Sequence, residues 1–596
     1  MSDVAAVLMA LSAAAGALWA RPVPLAVAVV AALVALVLRR PLLLVIAVAL
    51  ASSEMGARSW AGLAPPEPAP FAGVVKLAGD PRNVSGALRV DLRVDGRRVE
   101  AWARGRAAGR LDRRLAGERV EVQGRLSPLP DDLRRWLAPR HISARMTIDE
   151  VGDWEPGGLT SRLANGIRRT IVSGAESVPI ERRSLLTGFV LGDDRGQPPE
   201  VTYDFRASGL AHLLVVSGQN VAFVLALAGP VLQRLGLRGR LVAAMAVLVL
   251  FGVITRWEPP VLRAVAMASV TLLATNLGRP ASTVRALALA VTALVIIDPM
   301  LVHSVGFRLS VGACVGIALF ARRLTALIPG PRPVAAALGL TLAAQAGVAP
   351  IMVPTFGSLP VATVLANLAA LPASGPLMVW GLAAGFPAGL AGEPLATLAH
   401  LPTRAMLAWV AGVARVTGSM PLGHLGLAHV VAAGAALAGC AWALTRGRRG
   451  LAGAGAGLAM VAMLLPAVGI ARPGTDMAVS VGRGATLWRH GHATVLVLDG
   501  ASGSPDRLMS ALHQAGVRDL DILIASRPGT SEARAAETLQ RRFPAGVVLA
   551  PPKSKVLGAT VPPSGSVVEV GALIVHIEHA DGRLATTVST SRAPPR

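Results

Sequence analysis

Apolar runs near the length of a bilayer crossing recur through most of the chain and constrain its fold more than any other feature. Of the 596 residues, 53% are hydrophobic, which is above the share typical of soluble domains. A helix needs about 20 consecutive apolar residues to cross a hydrocarbon core. Three runs open the chain, at roughly 4–20, 22–38 and 41–56. Roughly ten more follow, at 209–230, 241–255, 260–277, 284–297, 304–320, 334–349, 358–371, 374–391, 427–444 and 451–470. This pattern predicts a polytopic α-helical membrane protein.

Two charged segments interrupt the apolar pattern. Residues 62–158 contain alternating stretches such as ALRVDLRV and ERVEVQGRL, with glycine and proline between them, which indicates a small β-rich domain. After Arg472 and Pro473 the chain becomes polar again, and it has the mixed patterning of an α/β domain. The predicted organisation is N-terminal transmembrane helices at 1–58, a soluble β domain at 62–158, a transmembrane bundle at 180–472 and a second soluble domain at 476–596.

The net charge of +23 comes almost wholly from arginine. The planar guanidinium suits phosphate recognition, but many of these arginines also fit loop charges that set membrane orientation. Positive charge concentrates in cytoplasmic loops. With the N-terminus in the cytoplasm, the inner loops would contain Arg39, Arg40, Arg234, Arg238, Arg240, Arg279, Arg285, Arg322, Arg323, Arg332, Arg446, Arg448 and Arg449. We therefore predict a multi-pass protein of the cell (inner) membrane, with both soluble domains on the outer face.

One apolar run contains an unusual cluster of hydrogen-bonding residues. The stretch GLAHLLVVSGQNVAFVLALAG, residues 209–229, includes His212, Ser217, Gly218, Gln219 and Asn220. A polar group without a partner costs roughly 2–7 kcal/mol in an apolar medium. Irregular backbone at membrane depth persists only inside protein or against water. The cluster is therefore expected to border a bundle interior or an aqueous path, with the helix broken at Gly218. The alternative is a helix contact made by small residues and side-chain hydrogen bonds.

Four further polar residues lie within predicted crossings. Arg263 is near the start of its run and can reach the membrane surface, whereas Arg308 is less able to do so. A charge at the centre of a helix costs about 2.5–3.5 kcal/mol on insertion scales. Gln345 and Asn367 complete the set. We predict that these residues line a substrate path, in which arginines would suit the phosphates of a polyanion.

The stretch LLTGFVLGDDRG…VTYDFRASGLAHLLVVSGQNVAFVLAL, at 185–227, closely resembles the core of ComEC-type competence proteins. The resemblance continues through EPPVLRAVAMASVTLLATNLGRP, LALAVTALVIIDPMLVHSVGFRLSVGA and AAQAGVAPIMVPTFGSLPVATVLANLAALP, and spans about 185–375. It implies a channel that carries transforming DNA across the inner membrane. Asn220 stands where the family typically has a second histidine; asparagine keeps a donor and an acceptor but does not titrate near neutral pH.

The resemblance also implies an outer domain of the OB type. The stretch GERVEVQGRLSPLPDDLRRWLAPRHISARM, at 117–146, looks like its second half. Such a fold binds single strands with basic and aromatic side chains, and stacking contributes about 1–3 kcal/mol per base. Alternatively, the arginines form a solvated face and the tryptophans belong to the core. The candidate DNA contacts are Trp102, Arg104, Arg106, Arg113, Arg114 and Trp136.

The C-terminal segment resembles the first half of the metallo-β-lactamase-like domain that ends longer members of the family. The strand VRDLDILIASRP is similar to the one that leads to the metal loop, but residues 525–532 read ASRPGTSE, without histidine. Hydrolysis by two metals needs imidazole and carboxylate ligands at fixed spacing. We expect no metal, no cofactor and no enzymatic activity, and interpret this part as a degenerate, shortened domain retained for folding, docking or DNA contact.

The leading functional hypothesis is an inner-membrane channel that passes one strand of transforming DNA into the cytoplasm. No G-x-x-x-x-G-K-[ST] motif occurs, so nucleotide hydrolysis would have to come from another protein. The resemblance implies DNA, as a single strand in the channel and as either form at the outer face, together with membrane lipid. It also implies a DNA-receptor protein outside and a cytosolic motor or single-strand-binding protein inside; a homodimer is compatible with the sequence. The alternative is a secondary transporter of a small polar or anionic solute, and a membrane-bound hydrolase is a third.

Overall fold

The computed structural model describes residues 2–590 except 39, 85, 280–281, 421, 449, 452–453, 456, 459–460, 462–476, 483 and 501–504. Three apolar helices begin the chain: α1 (Asp3–Trp19), α2 (Leu25–Val37) and α3 (Pro41–Ala61). α1 and α3 pack closely because Gly16 has no side chain; a Cβ there would lie 2.1 Å from the Ala49 carbonyl oxygen. The three helices lead into a β-rich segment.

The β-rich segment closes into a barrel. Its elements are β1 (Ala69–Leu77), β2 (Arg82–Val84), β3 (Ala87–Val94), β4 (Arg97–Ala103), α4 (Gly105–Asp112), β5 (Arg119–Pro128), α5 (Asp131–Leu137) and β6 (Ile142–Glu155). β1 pairs with β3 and β5, β3 with β4, and β5 with β6, all antiparallel, whereas β4 and β6 are parallel. β2 pairs with β3 outside this ring. The alternating residues of β3 and β5 place their apolar side chains in the barrel core, as the sequence pattern predicts.

The central part is helical. Its helices are α6 (Leu159–Gly174), α7 (Ile180–Leu191), α8 (Pro199–Ala207), α9 (Gly218–Leu232), α10 (Leu237–Ile254), α11 (Pro259–Asn276), α12 (Thr283–Ile297), α13 (Val305–Leu327), α14 (Arg332–Phe356), α15 (Thr363–Ala391), α16 (Leu395–Ala399), α17 (Leu401–Ser419) and α18 (Leu427–Thr445). Two short strands, β7 (Leu359–Pro360) and β8 (His424–Leu425), pair with each other. In the described part of the chain, five helices are long and apolar enough to cross a membrane: the Leu42–Ala61 part of α3, and α10, α13, α14 and α15.

Three predicted crossings differ from the structure, and a fourth cannot be compared. The runs at 358–371 and 374–391 form one helix, α15, which continues through Pro372 and Pro376. Close to Pro372, Trp409 Nε1 donates to the Ala369 carbonyl at 2.8 Å, so a neighbouring helix supplies a polar partner where proline weakens the helical ladder. The run at 209–230 is helical only from Gly218 onward, apart from a short 3-10 turn at Ala211–Leu213. The run at 451–470 lies largely outside the described residues.

The C-terminal part is a layered α/β structure. It comprises β9 (Met477–Gly482), β10 (Ala485–His490), β11 (Ala493–Leu498), α19 (Pro505–Gln514), β12 (Leu520–Ala525), α20 (Thr530–Gln540), β13 (Ala545–Leu549), β14 (Ser566–Val570), β15 (Leu573–Ala580) and β16 (Arg583–Thr590). The first sheet has the order β13-β12-β11-β10-β9, with β11, β12 and β13 parallel. Its two faces pack against α19 and α20 and against the antiparallel sheet β14-β15-β16.

Both β-containing parts meet the same end of the helical bundle. α13 and α14 are antiparallel, and their glycines allow close contact: a Cβ on Gly312 would lie 2.7 Å from the Gly347 carbonyl oxygen. The end of α14 and strand β7 therefore lie near the start of α13. The barrel contacts this end where His141 Nε2 meets Asp298 Oδ1 at 3.0 Å. The C-terminal part contacts it through β8, whose His424 ring lies against His513.

Candidate functional site

The polar cluster lies at the beginning of α9, where it joins two helices. Ser217 is the N-cap residue and its hydroxyl donates to Asn220 Oδ1 at 2.9 Å. Asn220 is completely buried, and its Nδ2 donates to the Phe189 carbonyl at the end of α7, at 3.0 Å. The amide thus uses both its donor and its acceptor inside the protein. The sequence predicts a helix broken at Gly218, and the structure has a helix start at that residue, which Asn220 ties to α7.

A buried arginine lies directly beside this helix start. Arg263 on α11 is only 8% exposed, and its Nη2 is 2.7 Å from the position that a Cβ on Gly218 would occupy. Its Nε donates to Ser310 Oγ and its Nη1 to Cys314 Sγ, both at 2.7 Å. Among the described residues, no carboxylate oxygen lies within 4.0 Å of this guanidinium. Because the N-terminus of a helix also carries partial positive charge, the two features together favour an anion here.

The remaining predicted path residues do not form one cluster with Arg263. His212 and Gln219 are both exposed; His212 precedes the start of α9, and Gln219 lies in its first turn. Arg308 is exposed on the first turn of α13, where a long side chain can extend away from the packed helices. Gln345 on α14 has a buried Oε1 that finds no hydrogen-bond partner within the described part of the chain, and Asn367 on α15 is half-buried.

The position of Gln345 along its helix is informative. The α13–α14 contact brings Gly312 to Gly347 and Gly316 to Ala343, so Gln345 lies at the level of Cys314. Cys314 is the residue to which Arg263 donates. The unpaired amide oxygen and the uncompensated guanidinium therefore occur at similar depth in neighbouring parts of the bundle.

A buried ion cluster, which the sequence did not reveal, joins the barrel to the bundle. Arg168 on α6 is 2% exposed. Its Nη2 contacts Asp80 Oδ2 at 2.9 Å and Asp193 Oδ2 at 3.2 Å. Its Nη1 donates to the carbonyls of Leu191 and Ile254. The only sequence signal was the GDDRG stretch that contains Asp193, because the pairing of residues 88 apart cannot be read from local patterning.

Asp80, in the loop between β1 and β2, accepts from two arginines. Arg256 Nη2 lies 2.9 Å from Asp80 Oδ1, which also accepts from the Ala116 amide at 2.7 Å. Burial disfavours the ionised carboxylate, but the guanidinium groups of Arg168 and Arg256 outweigh this effect and lower the pKa of Asp80 to about 2. The carboxylate is therefore ionised at neutral pH and holds the barrel against α6 and the loop between α10 and α11.

A second basic cluster lies on the barrel surface. Glu100 on β4 is buried and faces three arginines: Arg145 at 3.3 Å, Arg140 at 3.7 Å and Arg89 at 4.0 Å. The Arg145 guanidinium also lies 5.8 Å from the centroid of the Trp102 ring. One carboxylate is thus shared among three guanidinium groups, next to an aromatic ring.

The predicted DNA contacts are spread over several elements of the barrel. Trp102 is half-buried on β4, where its Nε1 donates to Glu100. Arg104, Arg106 and Arg113 are exposed on or beside α4. Arg114, next to them, stacks on Trp154 at 4.2 Å. Trp136, on α5, is 66% exposed, which shows that this ring is not part of the core.

In the C-terminal part, an ion pair occupies the loop where the resemblance would place metal ligands. Arg527 Nε donates to Asp499 Oδ1 at 2.8 Å, and both residues follow parallel strands of the first sheet. Glu532 is buried, accepts from the backbone amides of Arg527 and Gly500, and has its pKa raised by burial. Among the described residues, no group of three or more His, Cys, Asp or Glu side chains is arranged to hold a metal ion.

Comparisons with known proteins find similarity in the central region of the chain. A family model described as competence protein matches residues 189–447. The chain is also similar to ComE operon protein 3 of Bacillus subtilis (strain 168), with 24% identity over 305 residues. That alignment covers 48% of this chain and 38% of the relative, so the chain spans well under two thirds of the relative's length. No solved structure matches the chain. Residues 189–447 of this chain are therefore similar to competence proteins, which supports a ComEC-type competence protein.

Proposed function

We propose that this protein is an inner-membrane channel for DNA uptake during natural competence, and that it translocates a single strand into the cytoplasm. Residues 189–447, which match the family, contain the α9 start and Arg263. The observation that carries the proposal is the buried Arg263 guanidinium, which has no carboxylate partner in the described chain. A buried charge is costly unless it is compensated, and passing phosphates would compensate it.

The helix start at Gly218 adds to this site. Backbone N–H groups at a helix N-terminus point outward and bind phosphate well. The hydrogen bonds of Ser217 and Asn220 hold this end against α7, so the amides are fixed before substrate arrives. Preorganised donors lose little freedom on binding, which suits transient contacts with successive phosphates.

We propose that the barrel is an OB domain that binds DNA at the outer face. The strand ring β1-β3-β4-β6-β5-β1, with one parallel pair and a helix between β4 and β5, agrees with a five-stranded Greek-key barrel, and such barrels bind oligonucleotides on one strand face. Here that face would include Arg89, Trp102 and Arg145, in addition to the exposed Arg104, Arg106 and Arg113. Arginine beside an aromatic ring suits single strands.

We propose that the membrane is crossed by the apolar helices, with the N-terminus cytoplasmic and both soluble parts outside. The barrel and the C-terminal part contact the same end of the bundle, through the His141–Asp298 and His513–His424 contacts. This supports placing both soluble parts on the same side of the membrane. A DNA-receptor protein outside and a motor or single-strand-binding protein inside complete the proposal. The C-terminal part is proposed to be non-enzymatic, since Arg527 and Asp499 neutralise each other in the loop.

The Arg263 site is tested by substitution in the full-length chain. Arg263→Gln removes the charge and is expected to lower strand uptake at least about tenfold, because charged hydrogen bonds contribute about 1.5–3 kcal/mol. Arg263→Lys should retain part of the uptake. Arg240→Gln, which removes an exposed arginine on α10, is the matched control. Normal uptake by Arg263→Gln, with normal membrane levels, would contradict the proposal.

The alternative of a small-solute transporter also uses the α9 site, since a helix start beside a buried arginine would bind a small anion. A deletion strain separates the two. Loss of transformation, with normal binding of DNA at the cell surface, favours the channel. Normal transformation with altered uptake of an anionic solute favours the transporter.

A further inference from the structure

The C-terminal part binds a helix of the bundle through an inserted tyrosine. Tyr203, on α8, is 1% exposed and belongs to the same apolar cluster as residues of α19, α20 and the first sheet. Its hydroxyl lies 2.9 Å from His513 Nδ1, and its ring meets that of Phe543 edge-on at 6.1 Å. The side chain is therefore part of the core of a domain more than 270 residues later in the chain.

Ion pairs surround this tyrosine. Asp204 accepts from Arg542 Nε at 3.1 Å, and the same guanidinium lies 5.4 Å from the centroid of the Tyr203 ring. Arg206 pairs with Asp506 at the start of α19. The signs of the charges are complementary along α8, which indicates a specific contact rather than an incidental one.

His513 also contacts a second element of the central region, strand β8. The His424 ring on β8 meets the His513 ring edge-on at 5.6 Å. β8 pairs with β7, and Pro360 of β7 accepts from the Thr363 hydroxyl at 2.7 Å. His513 is thus connected both to α8 and, through β8, to strand β7, which precedes α15.

Gly209 lies between these two contacts. It follows α8, has a φ of +77°, and a Cβ there would lie 1.9 Å from Thr363 Oγ1. Only glycine fits such a conformation and such a close approach. The turn at 209–217 therefore begins from a point confined by α8 on one side and by Thr363 on the other.

We propose that the C-terminal domain is a clamp, with His513 as its positioning residue, that fixes the turn at 209–217 and hence the start of α9. This gives a role to a domain whose loop carries Arg527 and Asp499 in place of metal ligands. His513 acts through Tyr203 and His424 and does not contact the substrate. The clamp rests on the proposed function only for its effect on uptake; the effect on the turn is independent of what passes through the bundle.

Hydrogen exchange of the full-length protein in lipid nanodiscs tests the clamp. His513→Ala is compared with His576→Ala, which removes an exposed histidine on β15 of the same domain. We expect His513→Ala to accelerate exchange at least about tenfold in peptides from 199–207 and from 209–217, since exchange reports local opening. His576→Ala should leave both peptides unchanged. If His513→Ala does not fold, Tyr203→Phe replaces it in the test. This variant removes only one hydroxyl and is expected to give a smaller acceleration in the same peptides.

Two results would overturn the clamp. One is unchanged exchange at 199–207, which would mean that His513 does not hold α8. The other is faster exchange at 199–207 with unchanged exchange at 209–217, which would mean that docking does not reach the turn. Uptake is measured separately: if the wild-type chain does not import DNA, the proposed function fails, while the exchange data still decide about the clamp. If the wild type imports DNA, His513→Ala should reduce uptake and leave DNA binding to the barrel unchanged.

Discussion

The buried carboxylate that joins the barrel to the bundle offers a sharp test of the structure. Asp80→Asn keeps the size of the side chain but removes its charge. In the protein, this carboxylate accepts from Arg168, Arg256 and the Ala116 amide. The amide NH₂ of an asparagine would point toward guanidinium donors. Of the carboxylates that the structure describes, Arg168 would then keep Asp193 alone as a partner.

The magnitude follows from two independent arguments. Lowering the pKa of Asp80 from 3.8 to about 2 corresponds to about 2 kcal/mol, because one pKa unit equals about 1.4 kcal/mol. Removing one partner of a buried ion pair costs about 3–5 kcal/mol. We therefore expect Asp80→Asn to lower the free energy of unfolding of the barrel by about 2–4 kcal/mol. The contribution of Asp80 is present above pH 3.8 and is lost as the pH falls through about 2.

Pulse proteolysis in urea, on full-length protein in nanodiscs, measures this free energy. With a urea dependence of about 1–3 kcal/mol per molar, the midpoint of barrel unfolding should fall by about 1 M or more. Asp95→Asn, on the exposed β3–β4 turn, is the matched control and should leave the midpoint unchanged. Equal midpoints for the two variants would refute the reasoning that Asp80 holds the barrel in place.

Three further predictions concern the α9 start, the clamp and the C-terminal loop. Gly218→Ala places a methyl group 2.7 Å from the present position of Arg263 Nη2. Because the Arg263 side chain can move away, we expect reduced strand uptake with less than about 1 kcal/mol lost in the free energy of unfolding. A loss of stability with normal uptake would contradict this prediction. Burial, reinforced by neighbouring cationic groups, lowers the pKa of His513 to about 4. The stability of docking between the C-terminal domain and α8 should therefore be complete above pH 6.5 and fall as the pH drops toward 4, as measured by hydrogen exchange of peptide 199–207. An exchange barrier that does not change with pH, after correction for intrinsic rates, would show that His513 stays neutral in the undocked state or makes no contribution. Purified full-length protein should not cleave DNA with Mn²⁺ or Zn²⁺ added, because Arg527 pairs with Asp499 where metal ligands would be required; metal-dependent cleavage that a chelator abolishes would disprove a non-enzymatic C-terminal domain.

Local patterning predicts the character of each part of this chain. The alternation in ALRVDLRV indicates a strand with one buried face, and β3 has that face. The long apolar runs at 304–320 and 334–349 correspond to α13 and α14, which are long and apolar enough to cross a membrane. These features depend only on residues close together in sequence.

Features that depend on distant residues were not predictable. The contact between Arg168 and Asp80 and that between Tyr203 and His513 join residues far apart in the chain, and no local period encodes such pairs. The sequence predicts two crossings at 358–371 and 374–391, yet α15 continues through Pro372, close to a hydrogen bond from Trp409 on a neighbouring helix. Prolines end helices by local preference, and packing overrode that preference here.

For the candidate site, the sequence pointed to Ser217, Asn220 and Arg263 but not to their arrangement. The cluster at Ser217 and Asn220 and the arginine at 263 were identified from their unfavourable burial in lipid. Their proximity required the crossing of α9 and α11, which the sequence does not specify. Arg308 met the same criterion of polarity in an apolar run but is exposed, because its position near the start of α13 decides its environment.

The central claim, that the start of α9 borders a water-filled path, is tested most directly by cysteine accessibility in intact membranes. The native Cys314 and Cys440 are first replaced by serine, and single cysteines are then placed at His212, Gln219 and Asn220. With a membrane-impermeant thiol reagent, the exposed positions 212 and 219 should react, and the buried position 220 should react much more slowly. Lack of reaction at both 212 and 219, in correctly inserted protein, would contradict a path at this site.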